Sequence, residues 1–362
     1  MQITGFRCHL IETPAGIRLS SSYGASPTMR GHVQVQLLTD EGIEGWGEAS
    51  PLTWFTGETP ETIKEILESH WLSLLIGEDP HDIPKIHRKL SQDLAANSSA
   101  RAAIDMALHD LCARAADLPL YKYLGSNGAP TLPRTYALGI SDTATAIAEA
   151  RRWVKKGYHT LKLKVGGDLG TNVERVAAVR EAVGPHVRIR VDANAGYELK
   201  GARRLIRALE PFDLELVEQP LPAWDYEGWR ALRRAVDVPL MADESLNSPQ
   251  DALQLVKERL VDYFIIKLIK TGGIHHARHI AAIAETADVE CIVSTPFDTE
   301  IGAAAVMHLA FSVGSREHAH DLPPLSVESE HTVGRIHPPR GPGLAVAGTQ
   351  NEEVSWAVEE AD

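Results

Sequence analysis

Three acidic residues each close an apolar stretch of the chain. Asp192 ends Arg188–Ala193, Glu218 ends Leu214–Gln219, and Asp243 with Glu244 ends Pro239–Glu244. If these stretches are parallel strands of one barrel, their C-terminal ends share a mouth and the three carboxylates converge there. Unscreened, such anions repel and raise one another's pKa. A hard divalent cation relieves the repulsion. Three carboxylate oxygens with positions left open for substrate and water describe a Mg²⁺ site, with Mn²⁺ as a substitute. One such acid alone would be read as a helix cap or a strand-end salt bridge; three in register on consecutive strands argue for a shared ligand.

Two lysines stand beside this arc, on the stretch Thr160-Leu161-Lys162-Leu163-Lys164-Val165. Side chains alternate faces along a strand, so Lys162 and Lys164 point the same way. Taken alone, the pair reads as a strand end with snorkelling lysines. A third, Lys267, interrupts the apolar run Phe264–Ile269. In an eight-stranded barrel these two strands would be the second and the sixth, facing each other across the mouth. A substrate between them has one lysine on each face, an arrangement suited to removing a proton from one side of a carbon and returning it to the other. The hydrogen to be moved is one α to a carboxylate. Its removal builds an enediolate whose charge a metal must hold. The base must be a neutral amine, and neighbouring cations lower a lysine's pKa toward that state. Lys162 is then the neighbour that depresses Lys164 and touches the substrate carboxylate.

The elements that must position these groups can be read from the pattern. Thr4–Glu12, His32–Thr39 and Ile43–Glu48 read as an antiparallel meander, with Asp40-Glu41-Gly42 as a turn. Helices are expected from Thr59-Pro60 to about Ile76, over Ile83–Leu94, and from just after Asn97-Ser98-Ser99 to Ala116. From Thr135 onward, short apolar strands alternate with amphipathic helices. The strands are Tyr136–Ile140, Thr160–Val165, Arg188–Ala193, Leu214–Gln219, Pro239–Glu244, Tyr263–Ile269, Glu290–Thr295 and His318–Leu322. Eight units of roughly 25 residues match a (β/α)8 barrel. The alternative, an open doubly wound sheet, would carry a Gly-rich phosphate turn that is absent here. The expected organisation is an α/β protein: an α+β capping domain over 1–130, a modified (β/α)8 TIM-type barrel over 131–325, and a segment 326–362 that packs back on the cap.

Bulk properties bound the setting. The 362 residues are 44% hydrophobic and 23% charged, ordinary for a globular protein. The net charge of −13 argues against a nucleic-acid or anionic-membrane partner. No apolar run is long enough to span a bilayer, and the N-terminus lacks signal-peptide features. Cys8, Cys112 and Cys291 are scattered among apolar residues, as expected of buried thiols in a reducing cytoplasm.

At its chemical residues the chain resembles the enolase superfamily, and within it the muconate-lactonizing subgroup. The matching pieces are Lys162-Leu163-Lys164, Asp192-Ala193-Asn194, Glu218-Gln219-Pro220, Asp243-Glu244-Ser245, and Lys267 followed by Lys270-Thr271-Gly272-Gly273-Ile274. Gly45-Trp46-Gly47-Glu48 and Ala107-Leu108-His109-Asp110-Leu111 resemble that subgroup's cap. The resemblance implies Lys164 and Lys267 as the acid/base pair and Asp192, Glu218 and Asp243 as metal ligands, a chemistry described for that superfamily. It implies that the loops Gly16–Arg30 and Ser50–Gly57 cover the substrate, with Tyr23, Trp54 and Phe55 as contacts. It also implies a homo-oligomer. Asn194, Asp298, His320 and Asp321 are the remaining substrate-binding candidates, and Lys270 is expected to be structural. Related dipeptide epimerases tend to carry Asp-x-Asp in the eighth strand to hold an ammonium; here the run is His318-Ala319-His320-Asp321-Leu322, with one acid.

The leading expectation is a Mg²⁺-dependent racemase or epimerase of an amino-acid derivative, either a dipeptide or an N-acyl amino acid. A muconate-type cycloisomerase and a hydroxy-acid dehydratase use the same intermediate and remain alternatives. A Schiff-base lyase would leave the three carboxylates unexplained, and a non-catalytic barrel would be expected to have lost some of the five core residues.

Overall fold

The computed structural model describes residues 1–14, 20–25, 27–295, 297–322 and 334–346. Its N-terminal part is an antiparallel sheet of β1 (Ile3–Pro14), β2 (Met29–Thr39) and β3 (Glu44–Ala49), in the order β1-β2-β3. Three helices follow: α1 (Pro60–Ile66), α2 (Ile83–Asp93) and α3 (Ser98–Ala115). Thr59 starts α1 with a reciprocal cap. Its hydroxyl accepts the Thr62 N–H at 3.2 Å while Thr62 Oγ1 accepts the Thr59 N–H at 2.8 Å. The single helix expected to reach Ile76 changes pitch instead. It passes into a π-helical turn, Leu67–Trp71, and then a 3-10 turn, Ser73–Leu75, which together bury Leu67, Trp71 and Leu75.

Glycines let α3 lie directly on this sheet. A Cβ on Gly47 would stand 1.8 Å from the Ala103 carbonyl oxygen, and one on Gly45 would stand 2.4 Å from that of Ala107. No side chain fits there, which gives the Gly-Trp-Gly-Glu stretch a steric reason.

The rest of the described chain is a ring of parallel strands: β4 (Thr135–Leu138), β5 (Thr160–Lys164), β6 (Arg188–Asp192), β7 (Leu214–Glu218), β8 (Leu240–Ala242), β9 (Tyr263–Ile266) and β10 (Glu290–Val293). They are hydrogen-bonded in sequence order. The expected eighth strand, His318–Leu322, is reduced to bridges. Arg134 pairs with His320 and Ser294 with Asp321, so two residues join β10 back to β4 and close the ring. The helices between the strands from β4 to β9 are α4 (Thr143–Lys155), α5 (Leu169–Val183), α6 (Leu199–Leu209), α7 (Tyr226–Arg233) and α8 (Pro249–Lys257), and α4, α5 and α8 are among those that begin on side-chain caps. Asp142 accepts from Thr145 N at 2.9 Å, Asp168 from Thr171 N at 2.8 Å and Ser248 from Asp251 N at 3.1 Å.

Alternation sorts the strand residues into two layers. Leu161, Leu163, Ile189, Val191 and Val217 join the large core shared with the helices. Leu216, Met241, Ile265 and Ile292 form a small separate cluster inside the ring. The residues two positions further along β7, β8 and β9 are Glu218, Asp243 and Lys267, so the apolar cluster floors the mouth that these groups occupy.

Two carboxylates of α3 join the N-terminal part to the rest of the chain. Asp105, fully buried, accepts the N–H of Ile274 and that of His275, the first residues of helix α9 (Ile274–Thr286). Gly273 permits the approach: a Cβ there would lie 2.3 Å from Asp105, and its φ is +106°. Asp110 accepts Trp46 N–H at 2.9 Å and Leu344 N–H at 2.7 Å. The segment expected to pack back on the cap falls partly outside the described residues; within 334–346, Arg335–Ile336 pairs with Leu132–Pro133 and Gly343 bonds Leu118 and Leu120. Among the described residues no helix is long and apolar enough to cross a membrane.

Candidate active site

Register brings the site together. Lys164 is the β5 partner of Asp192, and Asp192 is the β6 partner of Glu218. Glu218 pairs with Met241, two residues before Asp243. The side chains of Asp192, Glu218 and Asp243 are fully buried.

Each carboxylate is held by an ammonium. Lys164 Nζ donates to Asp192 Oδ2 at 2.5 Å and to Asn194 Oδ1 at 2.9 Å. Lys162 Nζ donates to Glu218 Oε2 at 3.0 Å and to Asp321 Oδ2. Lys267 Nζ reaches Asp243 Oδ2 at 2.5 Å, and Lys270 Nζ reaches Asp243 Oδ1 at 2.5 Å. Sequence places Lys267 inside a strand, but the chain leaves the strand at Ile266. Lys267 instead precedes a helical turn, Leu268–Thr271, which swings Lys270 under Asp243.

The electrostatics differ from expectation in one respect. The expected depression by cations concerned Lys164 beside Lys162; Lys267 stands instead among acids. Burial does lower it, but Asp243, Glu218 and Glu244 outweigh burial and raise it above the ordinary lysine value. Lys162 is likewise raised, by Asp321, Glu218 and Asp192 against burial. It therefore sits as a counter-ion among acids rather than as a free cation beside Lys164. Burial, with repulsion from Asp192, pushes Glu218 up to about 8. Asp192 is held below the usual carboxylate range, because Lys164 and Lys162 overcome the effect of burial.

The donor set suits a hard cation. Glu218 Oε1 is buried and has no hydrogen-bond partner. Repulsion from Asp192 and Asp243 adds to its raised pKa, the strain that a divalent ion removes. The three do not stand as a finished cage: among the described residues no three His, Cys, Asp or Glu side chains are grouped to hold a metal ion.

Both covering loops reach the mouth, although residues 15–19 and 26 lie outside the described ones. Ser20–Ser21 and Gly24–Ala25 form a small hairpin, and Thr53–Thr56 is a helical turn rather than open loop. Tyr23 packs on Trp54 and Phe55, with ring centroids 5.9 and 5.8 Å away. The Phe55 ring lies 4.6 Å from Lys267 Nζ. Tyr23 OH donates to Glu244 Oε1 at 2.8 Å.

One substrate candidate is corrected. His320 is fully buried, with Nδ1 accepting Val293 N–H at 3.0 Å and Nε2 donating to the Ser315 carbonyl at 2.8 Å. Both ring nitrogens hold main chain at the ring closure, and burial lowers its pKa to about 4. Asp298 accepts Thr295 Oγ1–H at 2.6 Å and packs against Gly302; burial and the nearby Glu48 push it up to about 7. Its carboxylate also meets Ser50 and Glu48 at the end of β3, so it stands where the cap meets the barrel. Asn194 spans Lys164 and Glu244, donating to Glu244 Oε1 at 3.3 Å, so it fixes the lysine's position. Asp321 keeps one oxygen, Oδ1, buried and without a partner.

Three residues escaped the sequence reading. Ser22 Oγ lies 3.1 Å from the Val165 carbonyl and 2.9 Å from that of Ala193, clasping the hairpin to the ends of β5 and β6. Gln219 Oε1 accepts the N–H groups of Asp243 and Ser245, tying two strand ends together. Glu244, pushed up to about 7 by burial and by Asp243, joins Tyr23 to Asn194. Glu218-Gln219-Pro220 and Asp243-Glu244-Ser245 do contain the last two, but only as neighbours of the acids.

Residues 145–351 match the model of the enolase C-terminal domain-like family, and residues 21–125 match that of the mandelate racemase/muconate lactonizing enzyme N-terminal domain. The chain belongs to the mandelate racemase/muconate lactonizing enzyme family. Within this branch of the enolase superfamily it is similar to a hydrophobic dipeptide epimerase of Enterococcus faecalis, 41% identical over 76% of this chain and 78% of that one. It is 35% identical to an L-Ala-D/L-Glu epimerase of Bacillus subtilis, over 87% of this chain and 89% of that one. Among solved structures, the Enterococcus faecalis dipeptide epimerase complexed with Mg and L-Leu-L-Tyr superimposes with a TM-score of 0.90 at 34% identity, covering 96% of this chain and 100% of that one. The barrel-and-cap architecture expected from the sequence is thus that of the mandelate racemase/muconate lactonizing enzyme family, and the chain is an isomerase.

Proposed function

We propose that this isomerase epimerises dipeptides at the carbon α to the carboxylate. The observation that carries the reading is the pair Lys164, at the end of β5, and Lys267, just past the end of β9 four strands away in a closed ring, each within 2.5 Å of a different mouth carboxylate. Bound by Asp192, Glu218 and Asp243, Mg²⁺ would hold the substrate carboxylate and take up charge that builds on it.

The chain's own residues do the rest. Lys164 takes the α-proton from one face, and Lys267 returns one to the other. The reverse direction exchanges their roles. Asn194 fixes the Lys164 ammonium, and Asp243 fixes that of Lys267, so each acts from a held position. Lys162 balances the negative charge of Glu218 and Asp321. Tyr23, Trp54 and Phe55 close over Lys267 and exclude water from the exchanged proton.

The test is proton exchange in D₂O with a panel of dipeptides. Deuterium should enter the α-position of a substrate as its configuration scrambles. Lys267→Ala should stop epimerisation while one isomer still exchanges through Lys164, and Lys164→Ala should do the same for the opposite isomer. Unchanged epimerisation in either variant would overturn the reading.

An N-acyl amino acid is a second substrate class, favoured by Asp321. One of its oxygens is committed to Lys162, and the residue two further along the chain is Pro323 rather than an acid. A single oxygen is left to receive an ammonium. Including N-acylated analogues in the panel decides between the two classes.

A further inference from the structure

Away from the mouth carboxylates, four histidines gather where α2 meets α9. His87 lies on α2; His275, His276 and His279 lie on the first turns of α9. The His87 ring centroid is 4.7 Å from that of His275 and 4.8 Å from that of His276, and those two are 5.5 Å apart. His279 approaches His275 at 4.5 Å but His276 only at 6.4 Å. The four line a cavity of about 510 Å³.

The hydrogen bonds orient these rings. His87 Nε2 lies 2.7 Å from Asp105 Oδ1. A carboxylate accepts, so Nε2 carries the proton and Nδ1 is left as a lone pair. That Nδ1 is buried, on a residue only 4% exposed, and has no hydrogen-bond partner. A carboxylate holding the far nitrogen of a histidine is the arrangement that prepares a metal ligand. His276 repeats it with a carbonyl: Nδ1 lies 2.9 Å from Thr271 O, which leaves Nε2 free to bind. Burial brings His275 down to about 4 and also lowers His276. Both are therefore neutral near pH 7, as ligands must be.

The spacing agrees as well. With a metal–nitrogen bond of about 2.0–2.1 Å, two imidazoles on one ion have centroids roughly 4.5–5.2 Å apart for angles of about 90–110°. Two sides of the triangle fall in that range, and the third is slightly longer. Imidazole donors without a free carboxylate select zinc-like ions over Mg²⁺.

We propose that His87, His275 and His276 bind a late first-row divalent ion such as Zn²⁺, at a site sharing no residue with the barrel mouth. Their nitrogens do not already converge as a formed cage. Rotation of the half-buried His275 side chain completes the set while His276 keeps its Thr271 bond, and the ion then ties the capping helix α2 to the barrel helix α9. The inference is independent of the reaction proposed above.

The probe is Co²⁺, titrated into the full chain in excess Mg²⁺ and followed by its visible d–d absorption, with Zn²⁺ as competitor. Wild-type protein should take up one Co²⁺ in an imidazole environment, displaced by Zn²⁺, and Zn²⁺ should raise its thermal unfolding midpoint. His275→Ala and His276→Ala, singly and together, should lose this uptake and this shift, with unchanged circular dichroism as the check on folding. His279→Ala should retain both. Equal uptake by wild type and the double variant, or no Mg²⁺-resistant uptake by wild type, would overturn the proposal.

Discussion

Replacing Glu215 with glutamine should remove its own share of the acid sensitivity of folding. Glu215 begins near the floor of the barrel, with its side chain 8% exposed. It accepts from Arg190 Nε at 2.5 Å and Arg188 Nη1 at 3.1 Å, and lies 2.8 Å from His318 Nδ1. Burial alone would raise its pKa, but His318 and Arg190 bring it from 4.5 down to about 2. A group depressed in the folded state stabilises that state above its unfolded pKa, and the stabilisation fades as pH falls through the folded one. The window therefore runs from about pH 4.5 down to about pH 2. A shift of about 2.5 units corresponds to roughly 3 kcal/mol at neutral pH, of which about 1.4 kcal/mol remains at about pH 3. Urea unfolding at 25 °C, repeated between about pH 7 and pH 3, measures this. Glu215→Gln should be less stable at neutral pH because Arg190 loses its buried acid. The gap to wild type should shrink by about 2 kcal/mol on acidification to about pH 3. A gap that stays constant, or widens, would refute the assignment.

Gly47→Ala should destabilise the cap by at least about 1–3 kcal/mol, or prevent soluble expression, since its Cβ would meet the Ala103 carbonyl; an unchanged urea midpoint would contradict this. Ser22→Ala removes two hydrogen bonds of about 0.5–1.5 kcal/mol each from the covering hairpin, so KM should rise severalfold, with a smaller change in kcat, in steady-state assays. Chelation by EDTA should abolish α-proton exchange, and Mg²⁺ or Mn²⁺ should restore it, as read by NMR in D₂O.

What the sequence made legible followed from period. The strand alternation that puts Lys162 and Lys164 on one face, and acids at three strand ends, is a property of the backbone and survives folding unchanged. What it could not reveal depended on partners distant along the chain. His320 looked like a mouth residue because it neighbours Asp321, yet its ring serves Val293 and Ser315. Ser22 is an unremarkable loop serine until its hydroxyl is found between two strand ends from another part of the chain. Lys270 and Lys267 are three apart, a helical spacing that the apolar run Phe264–Ile269 disguised as strand. Asp105 and the histidines of α9 lie about 170 positions apart, beyond any local pattern.

Asp105 and Gly273 also set a rule for recombination. A cap transplanted from one relative onto the barrel of another carries the carboxylate in one fragment and the gap that receives it in the other. A graft that supplied a side chain at 273 would thrust it into that carboxylate; one that supplied no acid at 105 would leave the first amides of α9 without their acceptor. Crossover libraries drawn at the cap boundary should therefore yield folded chimeras chiefly where both positions descend together from compatible parents.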